Sequence, residues 1–491
     1  LIGETYKNVI VNINSGGIIR TAFFDEINEA TADPYGGAAI DSLCLMSQAG
    51  QEGGNALVEV LNGTVSPSGK LTDSWADIYD YYPASETFGA NDGNSLQEDY
   101  VEGLYVGYRY FDSFYKTINP ADPDGVVNYP FGFGLSYTDF DIDVESVTAD
   151  MDTVTVVANV TNVGKVYPGK EVVEVYFSAP QEGLDKPYQE LAAFGKTETL
   201  APGQCQTLTI SFQTTEMSSY NEDLAAYVMD GGDYIIRVGN SSRNTQVGAV
   251  VNLPATTITE QLSTQLDDDR NDDEWTSDPA NFYSYEGEAE EIEAAAKLTL
   301  DTTGCVAPNN ASQYAQDVPV DEANYYYSID RDLISTVTTY LKEGVADWEG
   351  TGEAYVLKTG EVVEYVDTDP ANTLYDVYDG AISMEEFVAG LTVAQLASIV
   401  EGGNRGSFSN LRAQGAAGYT TAEYEDLGIA GMILADGPAG VRITPAYNSG
   451  GTQYYQFCTA WPIGTMLAQT WNMELVEEVG KAIGEEMYEY G

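Results

Sequence analysis

Ile40-Asp41-Ser42-Leu43-Cys44-Leu45-Met46, then Gly50-Gln51-Glu52-Gly53-Gly54-Asn55-Ala56 with Leu57, Val58, Val60 and Leu61 behind it, is the stretch that decides the fold. An apolar run ends on a glycine turn and gives way to apolar residues at helical spacing. That order is strand, turn, helix, the punctuation of a doubly wound α/β sheet. Upstream, Val9-Ile10-Val11-Asn12-Ile13 reads as another short buried strand, stopped by Ser15-Gly16-Gly17. Residues 1–140 are therefore expected to be α/β.

Beyond residue 140 the period changes to two. Val154, Val156, Ala158 and Val160 share one strand face, and so do Leu208, Ile210 and Phe212, and Tyr234, Ile236 and Val238. Turn clusters such as Asn162-Val163-Gly164 and Ala201-Pro202-Gly203 separate them. Short alternating strands with regular turns predict a β-sandwich over 141–262. Residues 263–372 open on the acidic run Asp267–Glu274, and Glu286–Lys297 reads as an exposed helix. The rest of that stretch has weak periodicity and is an insert of unknown fold with a solvated, charged surface.

Residues 373–491 return to helix–strand alternation. Ser383-Met384-Glu385-Glu386 and Thr392-Val393-Ala394-Gln395 are capping boxes. Met432-Ile433-Leu434-Ala435 reads as a short buried strand ending on Asp436-Gly437-Pro438. A last helix starts near Asn472, with Leu475, Val479, Ile483 and Met487 as one apolar stripe.

Composition narrows the chemistry. The chain has 78 acidic and 20 basic residues, a formal charge of −58, and no histidine. Such a surface repels nucleic acid and anionic membranes. It fits a neutral substrate, high salt or an extracellular or surface setting, without fixing the compartment. Without histidine, Ser-His-Asp and Cys-His systems and the usual zinc sites cannot be built from this chain. Carboxylates are left as the natural acid–base agents. No apolar run reaches the roughly 18 residues of a membrane span. The four cysteines, Cys44, Cys205, Cys305 and Cys458, include no Cys-x-x-Cys pair and read as buried free thiols. The opening Leu1-Ile2-Gly3 lacks a methionine and a leader, and reads as mid-domain with residues missing upstream.

Asp436 is the sharpest candidate for function. It stands at the carboxyl end of a strand, where α/β barrels place ligand-binding groups. Its carboxylate can accept two hydroxyl hydrogen bonds at once. The bland reading is a turn aspartate bonding its own backbone. Glu52 opens a helix, where favourable interaction with the dipole is explanation enough. Tyr100, Glu102, Tyr108, Arg109 and Tyr110 form either a sugar-stacking group or, more simply, a packed corner. The groups Tyr79, Tyr81, Tyr82 and Tyr325, Tyr326, Tyr327 are open to both readings.

Together the motifs resemble glycoside hydrolase family 3. Gln51–Ala56, Pro67-Ser68-Gly69-Lys70-Leu71, Glu102–Asp112 and Tyr129-Pro130-Phe131-Gly132-Phe133-Gly134-Leu135-Ser136-Tyr137 are similar to its α/β sandwich domain. Asn159–Gly164, Gly169–Val173 and Leu200–Gly203 resemble its fibronectin type III-like domain. Leu434–Arg442, Ala468-Gln469-Thr470-Trp471-Asn472, Glu477–Gly480 and Gly484–Glu486 resemble its opening barrel segment. The implied fold class is multidomain α/β plus all-β. It comprises a partial α/β sandwich domain (1–140), a fibronectin type III-like β-sandwich (141–262), an acidic insert (263–372) and the truncated opening of a TIM-like (β/α) barrel (373–491). The barrel segment comes last, as in permuted members of the family.

The resemblance implies a retaining β-glycosidase, a β-glucosidase above all, acting on a carbohydrate without metal or organic cofactor. Two carboxyl groups about 5 Å apart would work through a covalent glycosyl-enzyme. The family's nucleophile lies on a later barrel strand and its acid/base ahead of Gln51, so neither role is assigned here and Glu52 is not promoted to one. Some members also bind sugar through a histidine, which this chain lacks. Asp436 matches the aspartate that binds hydroxyls of the terminal sugar, and Arg442 is carried with it as a substrate-site candidate that holds either the loop or an acidic partner. The alternatives are a non-catalytic carbohydrate-binding or surface protein derived from the family, and an assembly role for the insert. Homo-oligomerisation is left open.

Overall fold

The period-two stretch sets the architecture. The computed structural model describes residues 6, 8–24, 40–89, 93, 100–262, 275–308, 354–356, 362–364, 372–402, 413, 415–421 and 424–490. The acidic run Asp267–Glu274 and the Tyr325–Tyr327 group lie outside the described residues. The chain divides into two units. One is Leu1–Gln265 with Arg270–Asp317 and Pro462–Val476; the other is Leu266–Asp269 with Val318–Trp461 and Glu477–Gly491.

In the first unit, strands β1 (Ile10–Ile13) and β2 (Ser42–Leu45) pair in parallel, Ile10 opposite Ser42. The glycine turn then opens the helix Gly53–Leu61. Strand, turn and helix fall where the opening stretch places them. β1 is not the buried strand expected: Ile10 is exposed and Ile13 is its one fully buried residue. Among the described residues β1 has a single partner, so one edge and much of both faces stay in contact with solvent. Two short strands, β3 (Trp75–Ala76) and β4 (Val127–Tyr129), pair antiparallel. Beside them Ala76, Tyr105, Tyr110, Phe111, Val126 and Val127 form an aromatic core.

The sandwich follows. Strands β5 (Phe140–Ala149), β6 (Thr153–Asn162) and β9 (Cys205–Gln213) make one antiparallel sheet, in the order β5-β6-β9. Facing it, β7 (Val172–Ser178), β8 (Glu190–Lys196), β12 (Gly232–Ser241) and β13 (Asn244–Leu253) pair antiparallel. A smaller sheet joins β10 (Ser219–Asn221), β11 (Ala226–Met229) and β14 (Thr257–Gln261). Val154, Val156, Ala158 and Val160 are fully buried in one core with Ile210, Phe212, Tyr234, Ile236 and Val238. Each aliphatic side chain removed from water there contributes roughly 1.5–3 kcal/mol.

β7 is buried on both faces. Val173, Val175 and Phe177 point into the sandwich core. Glu174 and Tyr176 point the other way, to the α/β piece, where Tyr176 meets the Tyr108 ring edge-on at 5.9 Å. Tyr108 in turn packs on Phe131 at 4.7 Å. Alternation thus gives one strand two interfaces.

Part of the stretch read as an insert belongs to this unit. Trp275 packs on Tyr110 and Phe114, and its N–H donates to the Val101 carbonyl at 2.8 Å. Ser277 donates from both backbone and hydroxyl to Asp185. The helix expected over 286–297 is shorter, Glu288–Ala294, and its last residues instead form strand β15 (Ala296–Thr299). β15 adds in parallel to β13, completing the order β15-β13-β12-β7-β8. Backbone pairing with an open sheet edge outweighs continued helix there.

In the second unit Ser383 and Thr392 form both expected capping boxes, on helices Met384–Ala389 and Val393–Glu401. Thr373 and Asp376 form a third, on Leu374–Tyr378. Strands β16 (Ala354–Val356) and β17 (Val362–Glu364) pair antiparallel, as do β18 (Gly418–Tyr419) and β19 (Ile433–Leu434), and β20 (Ala446–Ser449) and β21 (Thr452–Tyr455). The run 432–435 is not buried: Met432 and Leu434 are exposed, because β19 pairs with β18 alone among the described residues. The last helix is Met473–Tyr490, with Val479 its buried residue. The four cysteines are free thiols, yet none is fully buried. Cys205 lies on the outward row of β9, in register with exposed Thr207 and Thr209.

Candidate functional site

Asp436 follows β19 and opens a tight loop. Its carbonyl accepts from the Arg442 N–H at 2.9 Å, closing a bridge between the two residues. Inside, Gly440 N–H donates to the Gly437 carbonyl at 3.1 Å. Gly437 and Gly440 have φ of 141° and 113°, a region that side chains rarely adopt. A Cβ on Gly437 would overlap the Gly440 carbonyl, and one on Gly440 would overlap the Thr459 carbonyl. The loop is also pinned from behind, where Trp461 N–H donates to the Ala439 carbonyl at 2.9 Å.

This backing presents the Asp436 side chain outward, 43 % exposed. Arg442 Nη1 lies 3.6 Å from Asp436 Oδ2, with the Arg442 side chain 76 % exposed. An ion pair that wet contributes little stability. It orients the carboxylate and leaves acceptor positions open. Among the described residues the Asp436 carboxylate accepts no backbone hydrogen bond, unlike an aspartate serving its own turn. The residues that brace the loop, Thr459 and Trp461, were not singled out from sequence. Their signal was the close spacing of Ala439-Gly440, whose lack of bulk admits a neighbouring backbone.

The other candidates have structural explanations. Glu52 caps by position but not by side chain; its carboxylate accepts from Asn55 Nδ2 at 2.7 Å on the surface. Tyr108 accepts from the Leu191 N–H at 2.8 Å, and burial above all pushes its phenol far up. Arg109 lies 3.6 Å from Glu190, and Tyr110 is in the aromatic core. Tyr81 and Tyr82 pack against the same core, and Tyr82 accepts from the Ala76 N–H. Glu102 is buried with Oε2 unpartnered among the described residues, whereas Tyr100 is exposed. This is a packed corner. Among the described residues no cluster of His, Cys, Asp and Glu could hold a metal ion. No described helix is long and apolar enough to cross a membrane.

Residues 2–137 match the glycosyl hydrolase family 3 C-terminal domain, and 171–242 match a fibronectin type III-like domain. Beta-glucosidase A of Butyrivibrio fibrisolvens is 32 % identical over 509 aligned residues, covering 100 % of this chain and 53 % of that protein. The chain carries the C-terminal domain of glycosyl hydrolase family 3 and is similar to β-glucosidases along its length. A β-glucosidase of Ruminococcus albus is 29 % identical to this chain across 99 % of its length, and 42 % of that relative is covered. A solved β-glucosidase from Paenibacillus barengoltzii superimposes with a TM-score of 0.67 at 29 % identity, covering 99 % of this chain and 46 % of that structure. The chain spans about half the length of these relatives. The matched domains account for its multidomain α/β plus β architecture.

Proposed function

We propose that this chain is part of a retaining β-glucosidase in which Asp436 binds hydroxyls of the terminal sugar and Arg442 orients it. The observation that carries the reading is an outward carboxylate on a glycine-locked loop, free of backbone partners among the described residues, in a chain similar to β-glucosidases along its whole length. Two adjacent sugar hydroxyls can donate to one carboxylate, each bond charge-assisted. Bonds that tighten as the sugar ring distorts lower the barrier as well as KM. The role assigned to this chain is holding the sugar. The nucleophile and acid/base are not assigned to any of its residues.

In the same reading, 1–140 is the α/β sandwich domain, 141–262 the fibronectin type III-like domain, 263–372 an acidic insert and 373–491 the opening of a (β/α) barrel in permuted order. Full-length alignment with two bacterial β-glucosidases supports that order. The test is kinetic. The protein containing this chain should release p-nitrophenol from p-nitrophenyl β-glucoside, and Asp436→Ala should lower kcat/KM by about 100-fold or more, the worth of two charge-assisted hydrogen bonds. Unchanged kinetics in the variant would remove Asp436 from the site.

A further inference from the structure

The last helix, Met473–Tyr490, carries six glutamates, and five of them are exposed. Glu486 is the exception. It stands two helical turns after the buried Val479, so it falls on the same inward face. Stability alone would favour an apolar side chain there. The carboxylate instead reaches the segment behind the Asp436 loop. Its Oε1 accepts from the Thr459 N–H at 2.8 Å and from the Thr459 hydroxyl at 3.0 Å. Its Oε2 is shut off from solvent and has no hydrogen-bond partner among the described residues. Withdrawing a carboxylate oxygen from water without a donor costs free energy, so Glu486 is a poor choice for packing. One turn further along the helix, the Tyr490 hydroxyl donates to the Phe457 carbonyl. The helix therefore holds residues 457 and 459 together.

The same segment touches the Asp436 loop directly. The Thr459 carbonyl takes up the space that Gly440 leaves by having no side chain: a Cβ on Gly440 would lie 2.2 Å from that oxygen. Two residues on, the Trp461 N–H donates to the Ala439 carbonyl at 2.9 Å. From Glu486 the contacts run to Thr459, from Thr459 to Gly440, and from Gly440 to Gly437 through the 3.1 Å bond inside the loop. Gly437 is the neighbour of Asp436 in the chain. All of these residues belong to the second unit.

We propose that Glu486 is a positioning residue for sugar binding, which acts through Thr459 to fix where the Asp436 loop sits and so where the Asp436 carboxylate points. This rests on the reading of Asp436 above. The contact at Gly440 leaves no room for the segment to move toward the loop, and the two bonds to Glu486 oppose its drift away. Without them the carboxylate loses its fixed place, and a misplacement of about 1 Å can cost on the order of 100-fold in rate.

The test is a double-mutant cycle on p-nitrophenyl β-glucoside, using the whole protein that contains this chain. Glu486→Ala should lower kcat/KM about tenfold in the parent and by less than about twofold in an Asp436→Ala background, where the group it positions is gone. Glu486→Gln keeps an oxygen for Thr459 and should stay within about threefold of the parent. The melting temperature of Glu486→Ala should stay near the parent's, because Thr459 is only half-buried and can turn to water. A glutamate that merely packs gives the reverse, a lower melting temperature with kcat/KM unchanged, and that result overturns the proposal. An equal loss in both backgrounds also overturns it. Should Glu486→Ala fail to fold, Thr459→Val removes one of the two donors and keeps the backbone bond; a loss of about threefold is expected, again confined to the Asp436 parent, and no loss overturns the proposal. The two readings separate cleanly. Loss at Asp436→Ala with none at Glu486→Ala overturns the positioning role alone, whereas parent kinetics in Asp436→Ala overturn the Asp436 assignment and the positioning role with it.

Discussion

Glu174 is the residue whose environment is most at odds with its chemistry. It is fully buried on β7, where Tyr176 donates to its carboxylate and Oε1 has no partner among the described residues. Gly132 lies against the same carboxylate, so closely that a Cβ there would overlap both oxygens. Burial pushes the Glu174 pKa up to about 8, against the pull of Tyr176 and Lys70; nearby Glu171, paired with Lys70 at 2.9 Å, raises it further. The folded protein therefore holds a proton that the unfolded chain releases near pH 4.5. Stability from this group is complete below that pH and is lost as pH rises to about 8. The unfolding free energy of the native chain, read by urea titration, should fall across this window, by at most about 1.4 kcal/mol per pH unit, and Glu174→Gln should flatten the fall. A slope unchanged in the variant would place the proton elsewhere. The string Tyr129–Tyr137 was legible as a motif in the sequence, but not the reason for its glycine. Glu174 is far along the chain, and only folding sets it against Gly132. Asp436 differs: its loop was legible from the adjacent Gly437-Pro438. Its exposure was not, because that depends on which strands flank β19.

At the scale of the element, the helix Glu288–Ala294 shows how a charged segment acquires a buried role. Glu288 lies 2.7 Å from Arg237 Nη2 and accepts from the Tyr188 hydroxyl at 2.7 Å, while the guanidinium stacks over the Tyr188 ring at 4.6 Å. Arg237 is 2 % exposed, on the central strand β12. Glu288→Ala would strand that charge, and the expected loss is about 3–5 kcal/mol in denaturant unfolding. Arg237→Met combined with Glu288→Leu should recover most of it, since the pair's desolvation penalty goes too. A single variant within experimental error of the parent would contradict this. Alanines and glutamates made the helix legible. Its burial at one residue was not, because Arg237 and Tyr188 are distant in sequence. The sandwich was the easier reading: strict alternation states both the strand and its inner face, as Val154 to Val160 do.

For the whole molecule, charge dominates. With −58 on the chain, self-repulsion opposes the compact state. Raising NaCl from about 10 mM to about 1 M shortens the screening length from roughly 30 to 3 Å. The melting temperature should rise with salt and level off, read by differential scanning calorimetry. The Glu288→Ala penalty should persist at high salt, because buried pairs are screened far less. A melting temperature indifferent to salt would mean that carboxylates are neutralised by protons or bound cations.

β15 has a consequence for solubility. Without it the sheet would have four strands and end on β13, with a row of backbone donors and acceptors facing outward. The parallel strand from the 275–308 segment occupies that row, so it acts as an internal guard against edge-to-edge aggregation. A protease cut before Trp275, followed by release of the segment, would turn the sandwich into a template for intermolecular β-pairing.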